Sequence, residues 1–167
     1  IEPDTFNINP ENIEKKITKK TKAILIVHFA GMPCNMSKIL KIVKKYKLKL
    51  IEDCAHAIES KYNKKHLGNF GDTGCFSFYS TKNLTTGEGG MIICKNTNLY
   101  NKIKIARLHG LSKDAWKRHL PDNVKNKKMY EHYDVTEIGM KYNLIDLNSA
   151  MGIVQLKKIE NNWKKRK

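Results

Sequence analysis

The spacing of apolar residues changes character along this chain, and each change marks an element. "AILIVHF" (23–29) is a continuous apolar run of strand length, and "LKLIED" (48–53) is a second. Between them, "CNMSKILKIVKKYK" puts Met36, Ile39, Leu40, Val43 and Tyr46 on one helical face and lysines on the other. A strand, a helix and a strand with short joints predict a right-handed crossover and a buried parallel sheet. Upstream, "NPENIEKKI" sets Asn9 to cap a helix with Pro10 at its first position, followed by Ile13 and Ile17. Downstream, "KYNKKHLGNFGD" (61–72) is turn-rich with room for a short hairpin, and "GCFSFYS" and "GMIICK" are further strands. "NLYNKIKIARLHG" reads as a helix ending at Gly110. Residues 112–140 are polar and irregular, the pattern of a long surface loop. "NLIDLNSAMGIVQLKKIENNWKKRK" closes the chain as a helix with Leu147, Ala150, Met151 and Val154 on one side. The whole is α/β, a class in which ligands bind at the carboxyl ends of the strands.

Composition narrows the class. A chain of 167 residues, 40% apolar and 29% charged, can bury a single core. No apolar run approaches the ~18 residues of a membrane span, and no leader-like segment opens the chain. A soluble, cytoplasmic protein without membrane contact is the expectation. The formal net charge of +16 raises the question of nucleic acid, but only Arg107, Arg118 and Arg166 of the 32 basic residues are arginine. The planar side chain suited to bidentate recognition of phosphate and bases is nearly absent, and lysines on solvated helix faces account for the charge better. Cys34, Cys54, Cys75 and Cys94 form no Cys-x-x-Cys pair, so neither a metal site nor a disulfide framework is expected.

Two groups stand where the α/β rule puts ligands. Asp53 lies just past the end of one predicted strand, and Lys82 just past the end of another. On spacing alone they fit a structural ion pair as well as a site. The chemical alternative is specific. A lysine amine forms a Schiff base with an aldehyde cofactor, and pyridoxal phosphate needs both such a lysine and an acid beside its pyridine nitrogen. Ser77, five residues before Lys82, offers a hydroxyl to a phosphate, and the glycines of "TTGEGG" let the backbone pass close to a ligand.

These residues sit in "IEDCAHA", "GNFGDTGCFSFYSTKNLTTGEGGMI", "RLHGLSKDAW" and "GMKYNLIDLNSAMGIVQLKKIE". The four ordered blocks resemble the nucleotide-sugar aminotransferases of the DegT/DnrJ/StrS type, and "PDTFNINPENIEKKITKKTKAILIVHFAGMPCNM" extends the resemblance over nearly the whole chain. The resemblance implies part of the large domain of a fold-type I, aspartate-aminotransferase-like enzyme, with pyridoxal 5'-phosphate as cofactor. It also implies transfer of an amino group, with glutamate the expected donor, to a keto carbon of a nucleotide-linked sugar.

By the same resemblance Lys82 is the Schiff-base lysine and Asp53 the acid paired with the pyridine nitrogen. His56 stands where the family has His or Gln beside the phenolic oxygen of the ring, and Ser77 resembles a phosphate ligand. Asn143, in "KYN", resembles the residue that reaches the cofactor phosphate of a neighbouring subunit, which implies a homodimer with shared active sites. Family members that dehydrate sugars carry a histidine where Lys82 stands, so the lysine favours amino transfer over dehydration. Residues 1–167 resemble an internal slice of the large domain, lacking its first part and a smaller carboxy-terminal domain. Such a slice is expected to be inactive and poorly soluble on its own.

Several residues keep two readings. His28 either lines the pocket or packs in the core. Glu88 either orients the lysine loop or bonds backbone, while His109 is placed to favour a helix dipole at its end. His66, His119 and His132 lie in polar segments and read as solvated, and Trp116 and Trp163 read as packing residues. The rival to an enzyme is a basic nucleic-acid-binding domain, which would show steeply salt-dependent binding.

Overall fold

A computed structural model of the chain describes residues 1–111 and 134–166. It divides into two compact units, one of residues 1–95 with 144–167 and one of residues 96–143.

The first unit is built on a four-stranded sheet. Its strands are β1 (Ala23–Val27), β2 (Lys49–Asp53), β5 (Thr73–Ser77) and β6 (Gly90–Cys94), in the order β1-β2-β5-β6. The first three run parallel, with Val27, Asp53 and Cys75 side by side at their carboxyl ends. β6 pairs antiparallel with β5, so the sheet is mainly parallel, as expected, with one reversed strand. β5 and β6 are joined without a crossover helix, a connection that suits an antiparallel return. Strands β3 (Lys61–Tyr62) and β4 (Lys65–His66) form the short hairpin expected in the turn-rich segment.

Helix α1 (Pro10–Lys16) begins as predicted, with Pro10 at its first turn and the Asn9 side chain accepting from the Glu11 N–H. Helix α2 (Met36–Tyr46) is capped by Asn35, whose side chain accepts from the Lys38 N–H. Its buried line is Met36, Ile39 and Ile42, with Leu40 and Val43 packed beside it. Tyr46, expected on that face, is exposed, because the chain leaves the helix at Lys47 in a left-handed conformation. These helices cover one face of the sheet, where Ile24, Ile26 and Leu50 complete the core.

The other face is open. Alternation along the strands gives it Leu25 and Val27 of β1, Ile51 and Asp53 of β2, Cys75 and Ser77 of β5, and Ile92 of β6. Leu25 is 57% exposed and Ile92 49%. A sheet buried on both faces was the expectation; within this unit only one face is covered. Helix α4 (Asp146–Arg166) completes the unit, and it too departs from expectation. Leu147, Met151 and Val154 share a helix as predicted, yet all three are exposed and the helix has no buried residue. Its inner contacts are made by small and polar residues instead. A Cβ on Gly152 would come within 3.0 Å of the Thr86 side chain, and Asn148 Nδ2 donates to the Glu88 carbonyl at 3.0 Å.

The second unit contains helix α3 (Thr97–Ala106), capped by Asn96 accepting from the Leu99 N–H at 2.9 Å. The helix stops four residues before the predicted Gly110. Arg107 to Gly110 form a turn in which His109 and Gly110 both have positive φ, at 55° and 74°. His109 is therefore not in the last helical turn, and its assignment to the helix dipole is withdrawn. Short bridges pair Leu108 with Lys141 and Leu111 with Val135. Residues 112–133 of the predicted long loop, with Trp116, His119 and His132, lie outside the described residues. Among the described residues no helix is long and apolar enough to cross a membrane.

Candidate active site

The carboxyl ends of β2 and β5 bring the predicted residues together. Asp53 ends β2 beside Cys75 of β5, and Ser77 lies two residues further along β5 on the same, open face. One strand spacing and two residues of rise put about 8 Å between the Asp53 and Ser77 Cα atoms, room for a six-membered ring between their side chains. Asp53 Oδ1 accepts from the Ala55 N–H at 2.9 Å, which orients the carboxylate at the strand end and leaves Oδ2 without a partner among the described residues.

Lys82 lies in the loop that leaves β5. Its backbone N–H closes a turn onto the Tyr79 carbonyl at 2.9 Å. The loop is pinned by Phe78 N–H to the Gly89 carbonyl, Thr86 N–H to the Phe78 carbonyl, and the Thr86 hydroxyl donating to the Glu88 carbonyl at 2.7 Å. Of the two readings of Glu88, its backbone carbonyl, rather than its carboxylate, is what orders this loop, accepting from both Thr86 and Asn148. The Lys82 ammonium makes no hydrogen bond or ion pair among the described residues, so Asp53 and Lys82 are not the structural ion pair that spacing alone allowed.

His56 is exposed in the turn after β2, its ring edge-on to Phe29 with centroids 6.2 Å apart. Asn143 falls in the second unit, half-buried, with its side-chain oxygen buried and without a partner among the described residues. Asp53 and Ser77 thus lie at the carboxyl ends of β2 and β5, His56 and Lys82 in the segments that leave those strands, and Asn143 belongs to the other unit.

His28 resolves to the core. It is fully buried on the covered face, where Nδ1 accepts from the Cys34 N–H at 3.1 Å and Nε2 donates to Glu52 at 3.2 Å. An imidazole that accepts at Nδ1 must carry its proton at Nε2, so the ring is neutral and the charge of the pair resides on Glu52. Glu52 also accepts from the N–H groups of Gly68, Phe70 and Gly71 at 2.9, 2.7 and 2.6 Å. Burial pushes its carboxyl up; the bonds from His28, Gly71, Gly68 and Phe70 outweigh that and hold it below the usual range. Glu52 thus straps the 68–71 turn beneath the residue next to Asp53. No sequence motif singled it out, although an acid alternating with Asp53 on a core-facing strand position was the available signal.

His28, Glu52 and Cys54 lie close enough for a metal, but the histidine nitrogens and the carboxylate are spent on the bonds above. Burial drives the Cys54 thiol far up and the Cys34 thiol to about 11, which keeps both protonated and poor as ligands.

For the expected cofactor the donor set fits. A strand-end carboxylate with a free oxygen, a hydroxyl on the same face and an unpaired lysine amine are the three groups a pyridine nitrogen, a phosphate and an aldehyde require.

The profile of the DegT/DnrJ/EryC1/StrS aminotransferase family matches residues 1–167. Among curated relatives, the uncharacterized protein MJ1066 of Methanocaldococcus jannaschii is 51% identical over 166 residues, covering 99% of this chain and 42% of the relative. The spore coat polysaccharide biosynthesis protein SpsC of Bacillus subtilis is 42% identical, covering 99% of this chain and 41% of SpsC. The chain therefore spans about two fifths of these relatives' length.

Among solved structures, PseC of Helicobacter pylori, an aminotransferase of pseudoaminic acid biosynthesis, superposes with a TM-score of 0.81 at 33% identity, covering 93% of this chain and 38% of PseC. The dehydratase ColD, solved with GDP-perosamine, gives a TM-score of 0.80 at 32% identity, covering 93% of this chain and 41% of ColD. The putative sugar aminotransferase Spr1654 of Streptococcus pneumoniae, solved in a PLP form, gives a TM-score of 0.80 at 27% identity, covering 96% of this chain and 42% of Spr1654. These neighbours share the mainly parallel α/β fold of the PLP-dependent fold-type I sugar aminotransferases. With a profile that runs the full 167 residues and neighbours that share its fold, the chain belongs to the DegT/DnrJ/EryC1/StrS aminotransferase family.

Proposed function

We propose that these residues form part of the cofactor-binding large domain of a pyridoxal-phosphate aminotransferase that aminates a keto carbon of a nucleotide-linked sugar. The observation that carries this reading is the meeting of Asp53 and Ser77 on one open sheet face with Lys82 just beyond the same strand. When bound, the cofactor supplies an aldehyde for the lysine and a protonated ring that accepts electrons when a C–H bond breaks.

Each residue has a task that its place supports. With the cofactor bound, the Lys82 amine would hold its aldehyde and, when free of it, would carry a proton between two carbons; no other group among the described residues engages that amine. Asp53 keeps the ring nitrogen protonated through its free oxygen, while the Ala55 N–H fixes the other. Ser77 donates its hydroxyl to the phosphate. His56, against Phe29, flanks the ring's phenolic oxygen. Asn143, whose side-chain oxygen lacks a partner among the described residues, serves the phosphate of a second copy in a homodimer. Glutamate is the proposed amino donor, and Lys82, where dehydrating family members carry a histidine, favours amino transfer over the dehydration for which the neighbour ColD is named.

The test is chemical. The intact protein is mixed with pyridoxal phosphate, reduced with borohydride and digested, and the modified peptide is identified by mass. Modification at Lys82, abolished in Lys82→Ala, is the expected result; modification at other lysines alone overturns the assignment. Product analysis with a panel of ketosugar nucleotides and amino donors then separates amination from dehydration.

A further inference from the structure

The turn after β2 carries a carboxylate with no part in that scheme. The Glu59 side chain is only 11% exposed, and its Oε1 accepts from both Asn83 Nδ2 at 2.7 Å and Arg166 Nη2 at 2.8 Å. Its Oε2 is buried with no partner among the described residues. A charge held this far from water is costly unless its bonds secure something, and an ordinary surface ion pair would leave both partners wet. What converges on this oxygen is informative. Glu59 lies three residues after His56, Asn83 directly follows Lys82, and Arg166 is in the last turn of α4.

The backbone bonds that pin the lysine loop, from Phe78 and Thr86, hold its two ends. Among the described residues, Lys82 itself is held by the turn onto Tyr79 alone. Among the described residues, the bond to Glu59 is the one side-chain hydrogen bond that Asn83 makes, and it ties the middle of the loop across to the β2 turn. A hydrogen bond to an ionised acceptor is about twice as strong as a neutral one, which suits it to setting the position of a mobile segment.

We infer that Glu59 is a positioning residue for Lys82. It acts through Asn83, holding the lysine segment against the turn that follows Asp53, with Arg166 as its counter-ion. The inference rests on the assignment of Lys82 as the cofactor lysine.

The experiment measures the rate at which pyridoxal phosphate becomes fixed to Lys82 of the intact protein under borohydride, with amide exchange over residues 80–86 as a second readout. Glu59→Ala is expected to slow attachment about tenfold, the scale of a modest misplacement of a reacting group, and to speed exchange in the loop. Glu59→Gln keeps an acceptor oxygen for Asn83 but loses the charge, and is expected to restore part of the rate, between the Ala variant and the unaltered protein. Asn83→Ala should match Glu59→Ala, and the double variant should be no slower than either, since both remove one contact.

Additive losses, a Gln variant as slow as the Ala variant, or unchanged attachment in all three would overturn the tether. If Glu59→Ala fails to fold, the Gln and Asn83→Ala variants still decide the matter. Absence of modification at Lys82 in the unaltered protein refutes the Lys82 assignment itself. Normal attachment there with indifferent variants refutes the tether alone.

Discussion

At the scale of single residues, alternation along β2 sorts two neighbouring acids into opposite tasks. Asp53 faces the open side with one oxygen free among the described residues, and Glu52 faces the core, where four groups donate to it: His28 and the N–H groups of Gly68, Phe70 and Gly71. Lys82→Ala is expected to lower turnover of the intact protein by about 10²–10⁴-fold, the usual worth of a positioned proton carrier, in a steady-state assay. Glu52→Gln should destabilise the protein by about 3 kcal/mol in urea unfolding, because an amide nitrogen then faces backbone N–H donors. The pH dependence has a definite sign. Glu52's carboxyl is held below its unfolded value, so its stabilisation is complete above about pH 4.3 and is lost as the pH falls through the lowered folded value. The Gln variant should therefore lose less stability on acidification than the unaltered protein. The placement of Asp53, Ser77 and Lys82 was legible in the sequence because strand ends and motif order mark them. Glu59 was not, since its partners Asn83 and Arg166 are remote in sequence and meet it only in the folded chain.

At the scale of elements, local rules held where local forces act. The caps at Asn9, Asn35 and Asn96 and the first-turn Pro10 follow from backbone groups that a helix end leaves unpaired. Asn35→Ala should cost about 1 kcal/mol and Ile39→Ala about 2–5 kcal/mol in thermal or urea unfolding, the first for a lost cap and the second for a cavity in a fully buried position. Gly74 is more demanding. A Cβ there would lie 2.5 Å from the Gly68 Cα, against the turn that Glu52 holds. Gly74→Ala must push that turn off β5, and we expect it to reduce both stability and pyridoxal phosphate attachment at Lys82, read by melting and by peptide mass. The end of α3 falls short of the predicted Gly110, because the chain leaves the helix after Ala106 and turns through His109 and Gly110, both at positive φ, where the side-chain pattern still continues.

For the whole molecule, the notable feature is apolar surface. Leu25 and Ile92 on the open sheet face and Leu147, Met151 and Val154 on α4 are exposed together within one unit. With this surface exposed, a polypeptide of residues 1–167 is expected to self-associate and to bind a hydrophobic dye. Monodisperse, dye-silent protein in a sedimentation experiment would count against this. The +16 charge makes a separate demand: if lysines are only a solvated coat, nucleic-acid retention should vanish at moderate salt without sequence preference.

The sequence by itself determined the α/β class, the sheet strands, the helix starts and the cluster of chemistry-bearing positions at strand ends. Each of these follows from periodicity, capping or motif order, which are properties of near neighbours along the chain. Only the tertiary structure decided that β6 runs antiparallel, that one sheet face is open, that His28 belongs to a buried network, and that Glu59 reaches the lysine loop. Those outcomes depend on contacts between segments up to 107 positions apart. Short-range patterns carry no record of such contacts, because burial and hydrogen-bond pairing are settled only when remote surfaces meet.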